Sequence, residues 1–147
     1  MIFTISKAEK VSWIYKEIKD FCRKANAGYG ETELSQWIRS NISNPMLQVI
    51  VSKKEKDSGQ IDGFALYYLQ SELMSPKLFV QAFYAVTPEA KEEMVKKIIE
   101  WGRELNVKEV EYVTSHDPKW MIERFNMIES SKGFEIVGHV LRKKLED

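Results

Sequence analysis

Two periods of apolar residues divide the chain. Val11, Ile14, Tyr15, Ile18, Phe21, Cys22 and Ala25 recur at three- and four-residue steps and form one stripe of a helix, with Trp13 off the stripe. Ser6 precedes them and Glu9 follows Ser6 by three, which predicts a capping box at the start of that helix. Asn26-Ala27-Gly28-Tyr29-Gly30 breaks it. Thr32 then stands as the cap of a shorter helix carrying Leu34, Trp37, Ile38 and Ile42, closed by Asn44-Pro45. Residues 2–5, 47–52, 61–69 and 78–86 are instead short β-branched and aromatic runs between polar turns, the signature of strands, with Gly63 a candidate bulge. The run 78–86 is almost continuously apolar, as in a strand covered on both faces.

The best-defined element follows. Thr87 caps, Pro88 occupies the first helical position, where a missing N–H does no harm, and Glu89 complements the helix dipole. Ala90, Met94, Ile98, Trp101 and Leu105 make its core stripe, and Asn106 stops it. Residues 107–115 read as a strand, Asp117-Pro118 repeats the cap-and-proline start, and Met121, Ile122, Phe125 and Ile128 make a last helix amphipathic. Lys132-Gly133 closes it, and residues 134–145 form a final strand. The expected order is β-α-α-β-β-β-α-β-α-β. It predicts an α/β (α+β) domain with a mixed, mostly antiparallel sheet of six to seven strands and helices on both faces.

Composition narrows the function classes. At 147 residues, with 44% hydrophobic and 12% aromatic content, the chain suits a single globular domain spanning residues 1–147. Lys+Arg and Asp+Glu balance at 22 each, so no net field recruits nucleic acid or an anionic membrane. The opening Met1-Ile2-Phe3-Thr4-Ile5 is too short for a signal peptide or a membrane span, and a cytoplasmic location fits. Cys22 is the single cysteine and lies on the apolar stripe, which makes it a packing residue. With only His116 and His139 beside it, no metal site is expected. Ser115-His116-Asp117 is no hydrolase triad, because neighbours in sequence do not reach triad geometry.

The element order, together with Val86-Thr87-Pro88 and the closing Gly133-Phe134-Glu135-Ile136-Val137-Gly138, resembles the GNAT acyl-CoA N-acyltransferases over essentially the whole chain. The resemblance implies acetyl-CoA lying in a splay between the fourth and fifth strands. The backbone of Tyr84, Ala85 and Val86 would pair with the pantetheine arm, and the diphosphate would sit at the start of the third helix. In the family that turn reads Arg/Gln-x-x-Gly-x-Gly/Ala. Here Lys91 falls on the basic position, while Glu92, Met94 and Lys96 stand where glycines are usual. Lys91, Lys96 and Lys97 can offer side-chain contacts to phosphate, but Glu89, Glu92 and Glu93 oppose a diphosphate.

The implied catalytic positions also depart from the family. Glu129 stands where a tyrosine often protonates the leaving thiolate, and His116 or Asp117 where an asparagine is common. Base candidates are Glu109 and Glu111 on the fifth strand, since Gln81 on the fourth cannot titrate. Residues 26–31 and 70–77 correspond to the regions that shape the acceptor pocket, where Tyr29, Trp37, Tyr67, Tyr68 and Tyr84 are the aromatic candidates. Strand alternation sends Tyr67 and Tyr68 to opposite faces, so at least one of them is packing.

Two functions therefore stand side by side. One is transfer of an acetyl group from acetyl-CoA to an amine on a small molecule or protein. The other is a non-catalytic GNAT-like module that binds through the old cleft. The ending, residues 120–145, resembles that of divergent phage-encoded members.

Overall fold

A computed structural model of the chain describes residues 1–25, 27–54, 59–71 and 76–112. The last helix and strand expected from the sequence, with His116, Asp117, Glu129 and His139, lie outside these residues. Strand β1 (Ile2–Ile5) leads through a 3₁₀ segment (Ala8–Ile14) into helix α1 (Tyr15–Lys24) and helix α2 (Glu31–Asn41). Strands β2 (Leu47–Lys53), β3 (Ile61–Gln70) and β4 (Lys77–Ala85) follow, then helix α3 (Pro88–Glu104) and strand β5 (Val110–Tyr112).

The described sheet has five strands in the order β1-β2-β3-β4-β5. β1 to β4 pair antiparallel and β4 pairs parallel with β5. This is the expected order and mixed sheet through the fifth strand.

Alternation along the strands builds two cores. Leu47, Val49 and Val51 of β2 and Phe64 and Leu66 of β3 meet Val11, Ile14, Ile18, Phe21, Leu34 and Ile38 on the α1–α2 face. Ile50, Ala65 and Tyr67 turn the other way, to Met94, Ile98 and Trp101 of α3. Tyr67 is fully buried there, edge-on to Trp101 at 5.5 Å, and its hydroxyl donates to Gln48 Oε1 at 2.7 Å. α3 closes down on the sheet over two glycines. A Cβ on Gly102 would come 3.1 Å from Leu78, and one on Gly63 2.8 Å from the terminal methyl of Met94.

Two irregularities matter. Between β2 and β3 the register passes from Ser52↔Gly63 to Lys53↔Ile61, so the extra residue is Asp62, one before the glycine expected to bulge. Between β3 and β4 it passes from Leu66↔Ala82 to Tyr67↔Val80, leaving Gln81 as the extra residue. Before that bulge Leu78 and Val80 face α3; after it Ala82 faces the α1–α2 core and Phe83 and Ala85 face α3.

The helix starts differ from expectation at two places. Lys7, extended at φ −122° and ψ 137°, precedes the 3₁₀ segment, and no side chain caps it, so Ser6 and Glu9 form no box. The three-residue step from Val11 to Ile14, both fully buried, suits three residues per turn; α1 proper begins only at Tyr15. α2 starts at Glu31, one residue before Thr32, with Gly30 at its cap position. Glu33 reaches back and its Oε2 accepts the Gly30 N–H at 2.9 Å, the half of a capping box that needs no side chain on the cap residue.

Candidate functional site

Thr87 makes the β4–α3 junction as the sequence predicts. Its Oγ1 accepts the Ala90 N–H at 3.1 Å, its carbonyl accepts the Lys91 N–H at 3.1 Å, and Pro88 has no N–H. Of the donors at the head of the helix, the Thr87 and Glu89 amides have no partner among the described residues. Helix N-termini hold phosphate through several convergent amides, and among the described residues this one has the Thr87 and Glu89 amides open for such a contact.

Glu92, Met94 and Lys96 all lie inside α3. Met94 is fully buried over Gly63, a core residue whose side chain faces the sheet. Lys96 reaches Glu92 at 3.6 Å, and Glu93 accepts the Met1 ammonium at 2.9 Å. Lys91 is half-buried one turn into the helix, and Lys97 is half-buried beyond it. Any side-chain grip on phosphate at this end would come from lysines against three neighbouring glutamates.

The strand side of the junction fits an extended ligand better. Val86 N–H donates to Asp62 O at 2.8 Å, so Val86 and, by alternation, Tyr84 spend their backbone groups on β3. The same alternation turns the N–H and C=O of Phe83 and Ala85 to the β5 side. Of the three backbone positions expected to serve a pantetheine arm, Tyr84 and Val86 face β3, and Ala85, like Phe83, faces the β5 side. Asp62 lies beside this end, buried, with its Oδ1 lacking a partner among the described residues.

The face of β4 toward α1 and α2 carries two clusters. At Tyr84 the groups are charged: its hydroxyl donates to Asp20 Oδ2 at 3.5 Å, Asp20 pairs with Arg23 at 3.1 Å, and the Lys24 ammonium sits 5.4 Å from the ring centre. Burial, then the Asp20 carboxylate, pushes the Tyr84 phenol above its ordinary range. Glu17 completes this cluster. Its Oε2 is buried without a partner among the described residues, and burial raises its carboxyl pKa.

The second cluster forms at the Gln81 bulge and is neutral. Tyr68 O–H donates to Gln81 Oε1 and Gln81 Nε2 donates to the Tyr29 oxygen, both at 3.4 Å. Phe79 and Trp37 flank Tyr68, with ring centres 5.6 and 6.2 Å away. Of the aromatic candidates from the sequence, the structure thus gathers Tyr29, Trp37 and Tyr68, puts Tyr84 in the charged cluster, and assigns Tyr67 to the α3 core. Gln81 is the residue that sequence reasoning passed over, because it was weighed only as a base.

Glu111 stands apart from both clusters. It pairs with Lys77 at 2.8 Å and lies opposite Phe79, six residues or about 20 Å along the strand from Ala85. Glu109 is exposed and its carbonyl accepts the Leu78 N–H. Among the described residues no group of three His, Cys, Asp or Glu side chains is placed to hold a metal. No described helix is long and apolar enough to cross a membrane.

Neither a protein-family model nor a curated protein matches the sequence. Solved structures match its fold throughout. A probable acetyltransferase superposes with a TM-score of 0.73 at 10% identity, covering 100% of this chain and 97% of that one. A predicted acetyltransferase from Clostridium acetobutylicum, solved with acetyl-CoA, gives 0.67 at 14% identity over 98% and 96%. An aminoglycoside N-acetyltransferase solved with CoA gives 0.70 at 13% identity over 100% and 95%. The chain has the fold of the GNAT acetyltransferases.

Proposed function

We propose that the chain, as one domain, transfers an acetyl group from acetyl-CoA to an amine. The observation that carries this reading is the end of β4, where Phe83 and Ala85 turn their backbone groups to the β5 side just before the strand runs into α3. That is a peptide edge an extended pantetheine arm can join as an extra strand would. Lys91, Lys96 and Lys97 would meet the phosphates with side chains, beside the Thr87 and Glu89 amides that the cap leaves open. The bulge at Gln81 lies back along β4 from Val86 by five residues, about 16 Å, and is where the acyl end of such an arm would point. The acceptor amine would approach over the α1–α2 face. The chain's own residues hold, orient and exclude water in this reading; the acid and base are left to groups beyond the two clusters.

The head of α3 favours the second reading, a module that keeps the fold and binds through the cleft without acyl transfer. Thermal unfolding with and without acetyl-CoA separates them. A ligand at a hundredfold its Kd adds about 2.7 kcal/mol, a rise of roughly 5–10 °C for a domain of this size. Glu89→Gln should enlarge that shift and Lys91→Glu should shrink it. A midpoint unmoved at millimolar acetyl-CoA would overturn the transferase reading and leave the binding module.

A further inference from the structure

We propose that the acceptor is a ring-bearing monoamine, held through its ring by Trp37, Tyr68 and Phe79 and oriented by the Tyr29–Gln81 hydrogen bond; this rests on the transferase reading above. The argument starts at the bulge. One extra residue in β4 puts Gln81 on the α1–α2 face beside Ala82, where a regular strand would have turned one of the two away. Both ends of the Gln81 amide are then engaged, Oε1 by the Tyr68 hydroxyl and Nε2 by the Tyr29 oxygen. Tyr29 accepts in that bond, so its own O–H proton points elsewhere, and among the described residues it has no acceptor. Its hydroxyl proton is open to a ligand beside three aromatic rings.

Those rings form a half-open platform. Trp37 is 42% exposed, and Tyr29, Tyr68, Phe79 and Gln81 are each half-buried. Aromatic surface of this kind is stabilised by covering it with another flat ring. Its electrostatics set the second half of the class. No described carboxylate is in hydrogen-bond or ion-pair contact with any of the five side chains, and the carboxylates of Glu17 and Asp20 sit with Tyr84, three residues or about 10 Å along β4. Among the described residues a polycation such as a polyamine finds no counter-charge in contact with the platform, whereas one ammonium on an aromatic body leaves the rings matched to a ring.

The test compares phenethylamine, n-butylamine and spermidine on the full chain, with affinities from calorimetry and the tryptophan fluorescence as a local report. Phenethylamine should bind about tenfold or more tighter than either of the others. Trp37→Ala, at an exposed position, should remove that preference without unfolding the chain. Trp37→Phe should keep the binding and lose the fluorescence response. Equal affinities for the three amines, or a response that persists in Trp37→Phe, would overturn the proposal. The acetyl-CoA unfolding shift is read separately. If it is absent while the ring preference holds, the transferase reading fails and the ring site stands. If it is present and CoA is released with spermidine as fast as with phenethylamine, the ring proposal fails alone.

Discussion

Gly63 of β3 lies directly beneath Met94 of α3, close enough that a β-carbon on the glycine would stand 2.8 Å from the Met94 methyl and 2.7 Å from the Tyr84 carbonyl oxygen. The methionine can shift its flexible end, but the backbone oxygen cannot. Gly63→Ala should therefore cost about 1–3 kcal/mol, the range for overpacking a well-filled core, in urea unfolding. A variant as stable as the parent would mean that α3 rides higher on the sheet than this contact implies.

Rebuilding the family's glycines should separate two costs that the motif hides. Glu92 is half-buried on α3 and its one ion pair, to Lys96, is exposed, so Glu92→Gly should lose the helix propensity of one interior position and that pair, about 1–1.5 kcal/mol together. Met94 is fully buried, so Met94→Gly adds a cavity to the same propensity loss and should cost about 3–6 kcal/mol. Equal losses for the two variants would place the helix start downstream of Met94.

Thr87→Ala removes the acceptor of the Ala90 N–H and should cost about 1 kcal/mol. It also frees that amide for an anion. The same variant should therefore bind acetyl-CoA no more weakly, and more tightly if the diphosphate sits at the head of α3. Circular dichroism melts and the acetyl-CoA shift measure the two effects on one sample.

Alkali should unfold the protein ahead of any surface effect. Burial lifts the Tyr112 phenol from about 10 to about 12 and raises that of Tyr67 as well. In that interval the folded chain still holds protons that the unfolded chain has released, so stability is full below pH 10 and falls as pH climbs toward about 12. Urea midpoints taken across that window should drop, and Tyr67→Phe should flatten the drop.

Glu17 should behave in the opposite pH range. Its raised carboxyl pKa means that ionisation opposes folding, so its burden is absent below about 4.5 and grows as pH rises through the folded value. Glu17→Gln should melt at a higher temperature than the parent at neutral pH and at the same temperature near pH 4. A parent that is more stable than the variant at neutral pH would show that Oε2 has a charged partner after all.

What the sequence disclosed depended on whether the deciding interaction was local. Thr87-Pro88 was legible because a cap and its proline act within one turn. The apolar positions of β2 and β3 were legible because alternation is set by the pleat. The Ser6 box failed because Val11 and Ile14 fit a 3₁₀ turn as well as an α-helix, and tertiary burial of both selected the tighter one. Gly30 was missed at the cap position since it has no side chain to signal one, and the bond that marks it is Glu33 reaching back to its N–H. Gln81 was invisible for a different reason. Nothing in the run Val80-Gln81-Ala82 marks an extra residue, and the bulge exists only relative to its partner strand.

That extra residue has a counting consequence. Upstream of Gln81 the even-numbered residues of β4 look toward α3, and downstream the odd-numbered ones do, so one strand obeys two opposite parities. Excising Gln81 alone would leave a regular strand in which Val80 and Phe83 still look toward α3 and Ala82 and Tyr84 still look toward α1 and α2. The bulge thus places one additional amide side chain on the cleft face at no cost to the facing of its neighbours, so the cleft could gain or lose that polar group without its walls being rebuilt.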